Sequence, residues 1–219
     1  MKILVTGANG FLGKVLCKEL RRHSYAVIAA YRSMQQHVDQ IEHLVVGSID
    51  KNTDWSVALQ AVDVVVHLAA RVHAMKETSE DSYEDFRKIN VDGTLHLAMQ
   101  AAKAGVKRFI FMSSIKVNGE FTEIGKPFLE EHPASPKDSY GLSKYEAEQG
   151  LFMIAQQTGM EVVVIRPPLV YGAGVKANFA SMMRAVKREL PLPLGAIYNK
   201  RSFVYVDNLV SLILRCIVH

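Results

Sequence analysis

Tyr140-Gly-Leu-Ser-Lys144 sets a phenol and an ammonium four residues apart, and on a helix that spacing stacks both on one face. A free phenol ionises at about pH 10, and a neighbouring cation stabilises phenolate, which brings such a group toward acid–base work near neutrality. In a chain with 8 tyrosines the same spacing also fits an ordinary surface helix. The reading sharpens at Phe109-Ile-Phe-Met-Ser113-Ser114, an apolar run that ends in two hydroxyls. If the run is a buried parallel strand, those hydroxyls lie at the C-terminal edge, where such sheets bind ligands. Ser114 would then hydrogen-bond the substrate oxygen that Tyr140 protonates or deprotonates. Ser113 would support the cofactor or the backbone.

A second constellation opens the chain. Thr6-Gly7-Ala8-Asn9-Gly10-Phe11-Leu12-Gly13 follows a short apolar run and precedes a helical pattern, the place where a phosphate-binding turn must lie. Gly7 permits the sharp turn, Gly10 clears a path to a pyrophosphate, and Gly13 allows the helix to pack close to the strand. The helix N-terminus then offers unpaired N–H groups and a partial positive charge to the anion. An NAD enzyme places a carboxylate at the end of the second strand to hold the ribose diol. Here Ala29-Ala30-Tyr31-Arg32-Ser33 has none, and Asp39 lies too far along. Arg32 would pair with a 2′-phosphate, so NADP is favoured, with NAD as the alternative. The other reading of Arg32 is a solvated loop residue.

These groups need a rigid frame, and the chain has the pattern for one. Short β-branched runs alternate with amphipathic stretches, which predicts parallel strands joined by crossover helices. Six strands are expected at 3–6, 26–30, 43–46, 62–67, 108–112 and 162–166, several of them apolar on successive residues as strands covered on both faces are. The first helix carries Phe11, Leu12, Val15, Leu16 and Leu20 in one stripe, with Lys14, Lys18, Arg21 and Arg22 mainly outside it. The fold class is α/β, a doubly wound parallel sheet. Residues 116–139, rich in Gly, Pro and Glu, form a long loop of the functional kind. The apolar pattern from Leu209 to His219 stops with no Gly cap or polar exit, which suggests a truncated chain.

Composition excludes much else. With 219 residues, 49% hydrophobic and 22% charged, the chain matches an ordinary globular protein. A net charge of +4, spread without basic runs, suits small anionic ligands better than nucleic acid. Cys17 and Cys216 offer neither a disulfide framework nor metal-ligand spacing. Neither a signal peptide nor a membrane span is read from the sequence, so a cytoplasmic protein is expected. His67, His73, His96 and His132 read as structural, Glu130-Glu131 as a solvated loop edge, and no Ser occupies a G-x-S-x-G elbow. No metal site is expected.

Together these motifs resemble the extended short-chain dehydrogenase/reductase superfamily, in its nucleotide-sugar epimerase/dehydratase branch, over nearly the whole chain. The resemblance implies a Rossmann-type domain at 1–166, followed at 167–219 by the start of a smaller, incomplete sugar-binding region. It implies Ser114, Tyr140 and Lys144 as the catalytic triad. The cofactor would meet Gly7, Asn9, Gly10, Phe11, Leu12, Gly13 and Arg32. It would also meet Ser48 and Ile49, then Leu68, Ala69 and Ala70 after His67, and Asn90, Ser113, Tyr140, Lys144 and Pro167. Asn178 and Arg201 would join Ser114 in binding the substrate. Ser48 stands where many relatives have an aspartate, Leu169 replaces an asparagine, and Asn118 replaces the tyrosine of Val-Tyr-Gly.

Met112-Ser113-Ser114 lacks the Asp-Glu pair of sugar dehydratases. The segments 113–120 and 191–195 look most like bacterial enzymes that make deoxy-aminosugars for surface polysaccharide. The first expectation is therefore NADPH-dependent reduction of a UDP-linked 4-keto-6-deoxy-aminosugar at C4. UDP-sugar 4-epimerisation by the same three residues is the alternative. A catalytically silent NADP sensor is the reading from another class. A homodimer through helices near 85–103 and 144–157 is implied.

Overall fold

In the computed structural model, residues 1–33, 41–72, 83–123, 125–175, 177–191 and 200–219 are described. Six parallel strands form one sheet: β1 (Lys2–Thr6), β2 (Ala26–Tyr31), β3 (Glu42–Val45), β4 (Val64–His67), β5 (Arg108–Met112) and β6 (Glu161–Ile165). Their order is β3-β2-β1-β4-β5-β6, the doubly wound arrangement in which the strand order reverses beside β1. Expected and observed strands agree to within two residues at either end.

The side-chain period of two explains why the central strands read as unbroken apolar runs. Ile3, Val5, Ala29, Val66 and Ile110 face α1 (Phe11–Arg22) and α6 (Val206–Val218). Leu4, Ile28, Val65, Phe109 and Phe111 face the other layer, built from α3 (Thr94–Lys103) and α4 (Ser139–Thr158) together with Trp55 and Leu59. Of the stripe expected on α1, Leu16 and Leu20 are buried and Phe11, Leu12 and Val15 partly so, with Cys17 buried beside them, and the last turn carries Arg21 and Arg22 at the negative end of the helix dipole.

The helix expected near 85–103 is not one regular α-helix. It comprises α2 (Tyr83–Arg87), a π-helical segment Lys88–Gly93, and α3. The widened turn brings Gly93 so close to the 48–50 loop that a Cβ there would lie 2.8 Å from Ile49 Cγ2, and it buries Asn90 completely. α4 begins before the expected 144–157, because Asp138 caps it by accepting the Gly141 N–H at 2.6 Å. Gly159, in the left-handed region at φ 74°, closes it.

A second, two-stranded parallel sheet joins β7 (Leu169–Tyr171) to β8 (Phe203–Tyr205), with α5 (Ala177–Lys187) between them in sequence. α6 returns from this region to the main core, where Leu209, Val210, Ile213 and Ile217 are buried against α1 and the sheet. Among the described residues, no helix is long and apolar enough to cross a membrane.

Candidate active site

The turn between β1 and α1 is set by two different constraints. Gly7 has φ 65°, and a Cβ there would lie 2.8 Å from the Ala69 nitrogen; one at Gly13 would lie 2.3 Å from the Gly7 carbonyl. Both glycines are required by contacts inside the protein. Gly10 is exposed, and the nearest atom to a Cβ there is the Gly7 oxygen at 3.1 Å. Its missing side chain leaves open space above the turn. No side chain caps α1, so its first N–H groups point outward without a side-chain acceptor. A dinucleotide pyrophosphate fits this cradle, which combines unpaired donors, the positive end of a helix and no steric obstruction.

Beside the turn, His67 ties β1 to β4 and α3. Its Nδ1 lies 2.7 Å from Thr6 Oγ1 and its Nε2 lies 2.9 Å from Thr94 Oγ1. Thr6 Oγ1 also accepts the Ala69 N–H at 3.2 Å, which holds the segment of Leu68, Ala69 and Ala70 against the glycine turn. Burial, and next the Lys144 charge, lower the imidazole pKa to about 3, so this histidine is neutral and structural.

Asn90 serves the same framework. Its Oδ1 accepts the Arg71 N–H at 2.8 Å, and its Nδ2 donates to the Arg71 carbonyl and to Ser143 Oγ at 3.0 Å each. Ile49 lies against Gly93, and the Ser48 carbonyl accepts Thr53 Oγ1 at 2.7 Å. Arg32 is exposed directly after β2.

The catalytic candidates meet where β5 ends. Ser114 Oγ accepts the Lys116 N–H at 3.2 Å and caps a short 3-10 turn, Ile115–Val117. That turn lies against the start of α4, since a Cβ at Gly141 would be 2.9 Å from the Lys116 carbonyl. Lys144, 1% exposed, donates from Nζ to the Met112 carbonyl at 2.9 Å. The same Nζ lies 4.5 Å from the Phe111 ring centroid and 5.9 Å from that of Tyr140. The three residues expected to act together therefore share one end of β5.

Their ionisation departs from the expectation. Burial, and then the Asp138 charge, raise the Tyr140 phenol to about 12 instead of bringing it toward neutrality. Burial lowers Lys144 to about 7, against the opposing pull of the Glu148 carboxylate. Desolvation is the larger cause of both shifts. In the chain alone, the phenol is a proton donor, and the amine sits at its midpoint near neutral pH.

Sequence reading missed the group behind the triad. Glu148, fully buried, accepts Ser113 Oγ–H and is gripped by Arg166, Nε to Oε1 at 2.9 Å and Nη2 to Oε2 at 2.5 Å. Arg166 Nη1 also donates to Asn118 Oδ1 at 3.2 Å. The available signal was the run Tyr140, Lys144, Glu148, each four residues after the last on one helical face. Pro167 offers its carbonyl to the Ile115 N–H at 3.1 Å. Arg201 is exposed before β8, and Asn178 lies in α5 with its side chain outside the described residues. His73 and Asp39 also fall outside them. Among the described residues, no group of three His, Cys, Asp or Glu could hold a metal.

Comparison with known proteins adds the decisive observation: the model of the NAD dependent epimerase/dehydratase family matches residues 3–219. The chain belongs to that family. As an extended short-chain dehydrogenase/reductase, it is 50% identical over 219 residues to a UDP-glucose 4-epimerase of Vibrio cholerae, a match covering 99% of this chain and 66% of that protein. It thus spans about two thirds of that relative's length. Its structure is similar to the UDP-glucose 4-epimerase of Thermotoga maritima solved with UDP-glucose, with TM-score 0.82 and 28% identity over 99% of this chain and 73% of that one. It is also similar to the UDP-glucuronic acid 4-epimerase of Bacillus cereus solved with NAD, with TM-score 0.85 and 26% identity over 99% and 72%. NAD, rather than the NADP favoured from Arg32, is the dinucleotide of this second structure.

Proposed function

We propose that the chain carries the dinucleotide-binding and catalytic parts of an enzyme that inverts C4 of a UDP-linked hexose. The observation that carries the reading is the convergence of Ser114, Tyr140 and Lys144 at the end of β5 in a chain half identical to a UDP-glucose 4-epimerase. Gly7, Gly10, Gly13 and the first turn of α1 would hold the dinucleotide phosphates, and Arg32 supports acceptance of a 2′-phosphate, so NAD and NADP both fit. The bound dinucleotide supplies a nicotinamide that takes hydride from the sugar carbon and gives it back.

Tyr140 exchanges the proton of the C4 hydroxyl. Ser114 holds the same oxygen in line, as a donor to the carbonyl that forms when the hydroxyl is oxidised. Lys144, fixed on the Met112 carbonyl and lowered to about 7, in its protonated form places a positive charge beside the phenol and favours phenolate when that proton leaves. Inversion requires the 4-keto sugar to present its other face before hydride returns, so Ser114 and Tyr140 must serve both directions. Asn178 and Arg201 are assigned to the nucleotide diphosphate. Half-exposed apolar residues Leu142, Phe152 and Met153 on α4 support a homodimer. The free thiols Cys17 and Cys216 suit a cytoplasmic setting.

A reductive reading, in which a 4-keto-6-deoxy-aminosugar consumes NADPH, rests on Arg32 at the end of β2. One experiment separates the readings. The protein is incubated with UDP-glucose, UDP-N-acetylglucosamine and UDP-glucuronic acid in the presence of NAD, and C4 inversion is followed by proton NMR. Inversion without net NADH release is expected, and Tyr140→Phe should lower it by about 100-fold or more while dinucleotide binding persists. Binding without any Tyr140-dependent turnover would replace the enzyme reading with the sensor. Steady oxidation of NADPH by a 4-keto sugar would replace inversion with reduction.

A further inference from the structure

Glu148, Arg166 and Asn118 lie behind the reacting groups, and their geometry has a particular shape. The segment 113–118 carries Ser114 from the end of β5 into its 3-10 turn. At its first residue, the Ser113 hydroxyl donates to Glu148 Oε1. At its last, Asn118 Oδ1 accepts from Arg166 Nη1 at 3.2 Å. Glu148 and Arg166 are joined to each other by two parallel bonds, at 2.9 and 2.5 Å. One ion pair therefore grips the serine-bearing segment at both ends.

The pair also ties two elements to that segment. Glu148 projects from α4 one turn beyond Lys144, and Arg166 follows β6 directly. The backbone between them is held as well, since the Ser113 N–H donates to the Ile165 carbonyl at 2.8 Å and the Ile115 N–H to the Pro167 carbonyl at 3.1 Å. Glu148 is 0%, Ser113 3% and Asn118 7% exposed, while the Arg166 side chain is 26% exposed, so it is the carboxylate side of the pair that is withdrawn from water. A bidentate carboxylate–guanidinium pair is directional, and one withdrawn from water loses little to screening. Such a pair costs desolvation and is a poor source of net stability, so its natural use is to fix one arrangement.

We propose that the Glu148–Arg166 pair, completed by Asn118, is a positioning clamp that sets Ser114 against Tyr140 and Lys144. Asn118 is the informative member, because its amide oxygen accepts the Arg166 N–H that Glu148 leaves free and can be altered without touching the ion pair itself. The clamp touches no substrate atom. Its effect is on the register of the Ser114 hydroxyl, where a displacement of about 1 Å lowers a rate by about 100-fold.

The inference rests on the C4 chemistry proposed above, and the test is chosen so that the two fail separately. Asn118→Ala and Asn118→Asp are compared with the unaltered protein, in turnover per bound dinucleotide and in hydrogen exchange of the Lys116, Val117 and Asn118 amides. The alanine variant should lose about 10- to 100-fold in turnover per occupied site, with dinucleotide affinity unchanged. Exchange at the three amides should rise about tenfold. The aspartate variant, which restores an acceptor to Arg166, should recover both. Arg166→Lys, which cannot form the fork, should give a similar loss that Asn118→Ala does not deepen.

A merely structural role would lower the folded, dinucleotide-binding fraction and leave turnover per occupied site unchanged. That result, or a change in one readout without the other, overturns the clamp. If the unaltered protein turns over no UDP-hexose, the enzymatic reading fails by itself, and the exchange rates alone decide whether the clamp holds the turn.

Discussion

At the residue scale, the two ionisable groups of the triad are displaced in opposite directions, and this has consequences that titration can read. The Lys144 amine is lowered to about 7 from its ordinary value of 10.5. Between those values the unfolded chain holds a proton that the folded chain has released, so stability should rise as pH increases from 7 toward 9, with a slope of up to about 1.4 kcal/mol per pH unit. Above about 9 the buried Cys17 thiol, raised to about 12, acts in the other direction. Lys144→Met should flatten the rise in denaturant midpoints between pH 7 and 9. His67 gives the acid counterpart. Its lowered pKa of about 3 means that stability is retained above 6.5 and is lost as pH falls from 6.5 toward 3. His67→Gln should remove that part of the acid limb in thermal melts.

The same scale shows what could be read from the chain and what could not. Ser114, Tyr140 and Lys144 stood out in the sequence because their spacing has a chemical meaning, and the structure places them near one end of β5. Glu148 did not stand out, because a glutamate on a helix reads as solvated unless its partner is known. That partner, Arg166, arrives 18 residues later on another element. The ionisation states also escaped, since burial decides them and spacing does not report burial.

At the scale of elements, the three glycines of the first turn should separate by experiment. Gly13→Ala would set a Cβ 2.3 Å from the Gly7 carbonyl, and a forced backbone shift of that kind costs about 1–3 kcal/mol. A lowered melting temperature with loss of dinucleotide binding is expected. Gly10→Ala meets only one atom, at 3.1 Å, on an exposed face. It should melt like the unaltered protein and still bind NAD more weakly in calorimetry. The cap of α4 offers a further test. Asp138→Ala should cost about 1 kcal/mol in urea unfolding, while Asp138→Asn keeps most of that contribution. Sequence periodicity located every major strand, yet it could not reveal the π-helical segment at Lys88–Gly93. Within that segment Asn90 reaches both Arg71 and Ser143, tertiary contacts that sequence periodicity does not report.

At the scale of the whole molecule, alternation of strands and helices indicated a parallel sheet, and crossover geometry then restricts the strand orders that can form. The destination of the last helix was not legible, because an apolar face states only that something covers it. In the fold, α6 covers α1 and the middle of the sheet, and Arg108 Nη1 donates to the Cys216 carbonyl at 2.8 Å while its Nε binds Glu161 at 2.7 Å. That helix lies 108 residues downstream of the arginine that clasps it. A nascent chain leaves the ribosome N-terminus first and folds as it emerges, so the part of this sheet face that α1 leaves uncovered must wait, greasy and bare, until residues 206–218 clear the exit tunnel. During that interval the uncovered apolar strip is open to non-native contacts.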